Sequence, residues 1–195
     1  MTELSQSQKL HLRENGWVVI PQVVSQPMIK EAIRAINGSI GKHFDTINMK
    51  VLAGNVELCP ELRTDPRITN LMHETGGYSL AESALGKGKI VLSKNVQIAP
   101  RLPSVNEDRP KPEPHVDGFH PAQNGVPGSI RPFTAIAGFF LNDLDHDWCG
   151  NFTVWPGSHK LLENYFRNNK PDPDLKNGIP PGETPGTNPT EGESR

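Results

Sequence analysis

The chain has 195 residues, 34% of them hydrophobic, and a formal net charge of −2, a length that suits one domain with a substantial core. No run of Lys and Arg exceeds two residues, so the chain lacks the basic footprint of a nucleic-acid binder. Cys59 and Cys149 are the only cysteines and show no C-x-x-C spacing, which excludes a disulfide framework and reads as free thiols in a reducing cytoplasm.

The N-terminus, "MTELSQSQKLHLRENGW", has neither a basic start before an apolar run nor an Arg-rich, acid-poor character, so no export or transit signal is read there. Residues 4–15 read as a short, weakly amphipathic helix that stops at the Asn15-Gly16 pair. "WVVIPQVV" follows as a strand. Residues 25–44 then resume as an amphipathic helix, with Ser25 as N-cap, Pro27 in the first turn, and Met28, Ile29, Ala32, Ile33 and Ile36 at helical spacing as core. Residues 64–85 carry a pair of helices, with Pro66 near a start and Gly76-Gly77 as a break.

From residue 89 the hydrophobic period changes to two. In "KIVLSKNVQIAPRLP", Ile90, Leu92, Val96 and Ile98 alternate with Ser93, Asn95 and Gln97, the pattern of a half-buried strand with one polar face. Arg101 belongs to the same polar face, which either lines a cavity or is simply wet. Next comes "PEPHVDGFHP", residues 112–121, in which His115 and Asp117 stand at i and i+2 between prolines. On an extended segment that spacing puts both side chains on one side, where they could grip one metal ion. Proline-flanked polar residues facing water are the competing reading.

A Gly/Pro loop, an apolar strand "RPFTAIAGFFLND", a polar turn "LDHDWCG" and a strand with its turn, "NFTVWPGSHK", complete the body. The longest apolar run, "FTAIAGFFL", has 9 residues, far below the roughly 20 needed to span a bilayer. No membrane contact is expected. His11, His43, His73 and His146 read as solvated, and Trp155 as a core aromatic. Residues 171–195 hold six Pro and four Gly without apolar periodicity and read as loop or tail. Residues 1–170 are therefore expected to form one domain. Helices first and strands afterwards argue an α+β, mainly β arrangement with N-terminal helices against a sandwich or barrel.

In order along the chain, "ENGWVVIPQVVS", "VQIAPRLP", "HVDGFH" and "GNFTVWPGSHK" resemble the phytanoyl-CoA dioxygenase family of non-haem Fe(II), 2-oxoglutarate-dependent oxygenases, from about residue 10 to about residue 170. The resemblance implies a double-stranded β-helix, the cupin-like jelly roll. It implies that His115 and Asp117 are two of three ligands in a 2-His-1-carboxylate triad on Fe(II), a donor set that suits this metal. It further implies 2-oxoglutarate as cosubstrate, hydroxylation of a small organic molecule, and Gln97 and Arg101 as candidate cosubstrate contacts.

The chain departs from the family pattern in one respect. Relatives carry a second metal-binding His on a later strand and then a basic residue that pairs with 2-oxoglutarate, whereas no His follows His159 here. His159 and His120 are the remaining candidates for a third ligand. The C-terminal strands of the jelly roll are expected to be missing, as in a fragment of a longer protein. Two other readings compete: an inactive truncated jelly roll acting as a binding or interaction module, and a different cupin-type metal enzyme.

Overall fold

Proline and glycine punctuation sets the helices. In the computed structural model the described residues are 2–43, 58–100, 116, 117, 119, 120, 129, 130, 134–144, 151–168, 193 and 194. Helix α1, Gln6–Asn15, ends where the Gly16 amide donates to the Leu12 carbonyl (2.8 Å). Gly16 sits at φ +86°, a left-handed turn that glycine adopts without steric cost. Helix α2, Gln26–Lys42, starts on Pro27, whose fixed φ and missing N–H suit a first turn.

A 3-10 turn, Pro60–Leu62, leads to α3, Pro66–His73. Asp65 caps α3 by accepting from the Arg67 amide (2.9 Å), and Pro66 again stands in the first turn. Helix α4, Gly76–Leu85, begins on Thr75, whose Oγ1 accepts from the Gly77 amide (3.1 Å) and donates back to the Leu71 carbonyl (2.7 Å). One hydroxyl therefore joins the end of α3 to the start of α4.

The described residues divide into two compact units. The first comprises Met1–Ser5, Val19–Pro103 and Ala137–Asp143. Its core packs Ala32 and Ala35 of α2 against Leu58, Cys59, Leu62, Ile68 and Leu71. Met28, Ile36 and Ile40 extend the α2 stripe, and Val96, Ile98, Phe139 and Leu141 close it from two extended segments. The second unit comprises Gln6–Val18, Ser104–Ile136 and Leu144–Arg195. It holds α1, helix α5 at Ser158–Asn168, and four two-residue strands. Strand β1, Phe119–His120, pairs antiparallel with β2, Ser129–Ile130. Strand β3, Thr153–Val154, pairs with β4, Glu193–Ser194.

The mainly β jelly roll is therefore corrected: the described residues are mostly helical, and none of their strands exceeds two residues. "WVVIPQVV", the segment 89–100 and residues 134–142 were each expected as strands, and none forms a ladder among the described residues. Alternation in 89–100 holds only in its second half, where Val96 and Ile98 face the core while Asn95 and Gln97 are exposed; Leu92, expected inward, is exposed. A strand, however, needs a partner for its N–H and C=O groups. In this segment the Val96 amide goes instead to the Arg63 carbonyl at the end of the 3-10 turn (3.0 Å). The extended chain thus lies on a helical core rather than on another strand. Helix α5 departs from the strand and turn that "NFTVWPGSHK" suggests, since "SHK" forms its first turn.

Candidate functional site

The H-x-D segment is described only in part. His115 and Arg101 lie outside the described residues, as do Cys149 and His146. Val116 is half-buried, and Asp117 is exposed in a turn that runs into β1. The carboxylate thus stands at the entry to a short antiparallel pair, in whose register His120 faces Ser129. The backbone places Asp117 and His120 three residues apart on one arm of that pair. Gln97 is exposed, between two residues that pack inward. Among the described residues no group of three or more His, Cys, Asp or Glu side chains converges in a metal-binding arrangement.

His159 is placed in full. Gly157, at φ +79°, turns the chain after Trp155-Pro156, and the Ser158 amide donates to the Trp155 carbonyl (3.0 Å). His159 therefore opens α5 and reaches back to α1. Its Nε2 donates to the Arg13 carbonyl (3.1 Å), while the Gly157 amide donates to the Asn15 carbonyl (3.0 Å). Both acceptors are carbonyls of the last turn of α1, which have no partner within their own helix. His159 Nδ1 is buried with no hydrogen-bond partner, and it lies so close to Gly16 that a Cβ there would clash with it.

Both imidazole nitrogens of His159 are thereby used or enclosed. With Nε2 on a carbonyl and Nδ1 against backbone, the ring fastens the "PGSH" turn to the "ENG" stop of α1. Two motifs that the sequence presents 140 residues apart meet as one structural joint. His11, one turn before that stop, accepts from Asn15 Nδ2 through Nδ1 (3.2 Å) and packs edge-on against Trp17 (centroids 4.6 Å, 85°). The joint went unread in the sequence because helix stops and turns are local signals and their meeting is not. The Gly16 side of it carried a signal, since Asn-Gly after a helix calls for a left-handed residue.

Among the described residues two carboxylates are electrostatically tuned, both in the first unit. The Asp65 carboxyl is held below the usual carboxylate range by its paired hydrogen bonds from Arg67, whose Nε and terminal nitrogen lie at 2.9 and 2.6 Å. The Glu61 carboxyl is held down mainly by a hydrogen bond from the buried Ser39 hydroxyl, with His43 and Lys42 adding attraction. No helix of the described residues is long and apolar enough to cross a membrane. No protein-family model, curated protein or solved structure matches the chain.

Proposed function

We propose that the chain supplies the His115 and Asp117 half of an Fe(II) centre in a 2-oxoglutarate-dependent oxygenase acting on a small organic substrate. The observation that carries this reading is the order of the motifs, with H-x-D followed by the apolar segment and then "GNFTVWPGSH". An exposed Asp117 carboxylate at a turn fits the role of a metal donor, because carboxylate and imidazole suit Fe(II). Among the described residues no group of three or more His, Cys, Asp or Glu gathers to hold a metal ion, and His159 is committed to the α1 joint. When bound, iron of this class supplies oxygen activation and oxidation of a C–H bond. The residues of this chain would bind and orient that ion.

Titration of the 195-residue chain with Fe(II) under anaerobic conditions tests the reading. Two protein ligands chelate weakly, so an affinity well short of a complete triad is expected. His115→Ala and Asp117→Ala are each expected to weaken binding at least about tenfold, a loss of about 1.4 kcal/mol. His159→Ala is expected to leave it unchanged. Equal binding by all four proteins would overturn the assignment, and succinate release that vanished in His159→Ala would make His159 the third ligand. A second reading, a non-catalytic binding module, is favoured by the helical architecture. It predicts no metal-dependent signal in any of these proteins.

A further inference from the structure

A cleft of about 250 Å³ opens in the first unit between α2, the 3-10 turn and α3. Its near wall is one face of α2, where Arg34, Gly38 and Lys42 follow each other at i, i+4 spacing and so line up along the helix. Gly38 is the opening in that row. A Cβ at Gly38 would meet nothing within 4 Å, so the notch between the two cations is empty space rather than close packing. Buried Ala35 and Ser39 form the floor, and the far wall carries Glu61, Asp65 and Arg67.

The charges of this cleft are unequally used. Asp65 is engaged with Arg67, and Glu61 accepts from Ser39 and lies 4.0 Å from His43. Glu31, on α2, attracts Arg67 as well. Arg34 and Lys42 have neither a hydrogen bond nor an ion pair among the described residues, and Lys42 reaches Glu61 only through space. Asp65 is thus paired within the cleft and Glu61 hydrogen-bonded there, while two cations flank an open notch about 12 Å apart along the helix. Two cations with no contact partner among the described residues, set across a concave gap, favour an anion that both can contact.

We propose that this cleft binds a phosphate-sized dianion, held between Arg34 and Lys42 over Gly38. The volume lies below the roughly 300–1,000 Å³ of pockets that enclose drug-sized ligands, so the occupant is a small oxyanion or the phosphate end of a larger molecule that projects into solvent. The proposal does not rest on the iron reading.

The test is a titration of the ¹⁵N-labelled 195-residue chain with sodium phosphate at neutral pH, read by amide chemical shifts, against sodium chloride at matched ionic strength. Saturable shifts at Gly38, Ser39 and Lys42 with phosphate, and none with chloride, are expected. Arg34→Gln and Lys42→Gln are each expected to weaken binding about threefold to fivefold, as exposed ion pairs do, and the double variant is expected to abolish it. Gly38→Leu puts a bulky side chain in the notch, where a Cβ meets nothing within 4 Å. It is expected to abolish binding while raising the unfolding temperature, because glycine is unfavourable inside a helix, so lost binding cannot be ascribed to lost folding. Identical shifts with chloride, or saturation unaffected by the double variant, would overturn the proposal.

Discussion

Gly16 shows how much one residue can decide. It holds a left-handed φ of +86°, and its missing side chain makes room for His159 Nδ1. Gly16→Ala is expected to destabilise the second unit by about 1–3 kcal/mol, because a Cβ must both adopt the αL region and displace the imidazole. Thermal unfolding measures this, and a variant as stable as the parent would show that the joint contributes nothing. His159→Ala is expected to cost less, about 1 kcal/mol, since it removes one hydrogen bond to a helix-terminal carbonyl. The metal reading and the joint reading of His159 separate at this residue, for only the joint predicts lost stability without changed iron affinity.

At the scale of elements, α3 is held at its start by Asp65. Asp65→Ala is expected to lower stability by about 1 kcal/mol through loss of the cap, measurable by urea unfolding. The same carboxylate, with Glu61, makes the first unit sensitive to acid. Both groups titrate below their ordinary range in the folded chain. The stability they contribute is therefore complete above the unfolded carboxylate value of about 4 and is lost as pH falls through the lowered folded values. Arg67→Gln removes the larger cause at Asp65 and is expected to flatten the dependence of stability on pH below the unfolded carboxylate value of about 4. An unchanged acid transition in that variant would count against the Asp65–Arg67 pair as its source.

Over the whole molecule, two kinds of apolar residue behave differently. Leu71 is 4% exposed within the helical core, and Leu71→Ala is expected to cost about 2–5 kcal/mol, the sum of lost transfer energy and a cavity. Val91 is 93% exposed on the extended segment, and Val91→Thr is expected to change stability by less than about 0.5 kcal/mol. Solubility is the quantity that should respond, because an extended apolar segment without a ladder partner is a template for association. A large stability loss in Val91→Thr would show that this residue is covered in solution.

The helix boundaries were legible because their causes are local. Pro27 and Pro66 in first turns and Asn15-Gly16 as a stop each act within a few residues, and each marks an observed helix end, whereas the capping roles of Asp65 and Thr75 emerge only in the structure. Alternation at 96–98 also named correctly which side chains turn inward. Helix α5 carried a signal that went unread: Leu162, Tyr165 and Phe166 recur at helical spacing, and Glu163 pairs with Arg167 at i, i+4. The pull of a strand ending in "WPGSH" outweighed it. At the candidate site, the exposure of Asp117 and the pairing of His120 with Ser129 follow from chain folding, not from the spacing of H-x-D. What composition and spacing determined by themselves was conformation: where the backbone coils, where it extends and where it turns. What only the tertiary structure decided was partnership. The extended segments lie on a helical core without a ladder, the PGSH imidazole closes on α1, and Arg34 and Lys42 are left facing an open notch, because a partner distant in sequence leaves no trace in local periodicity.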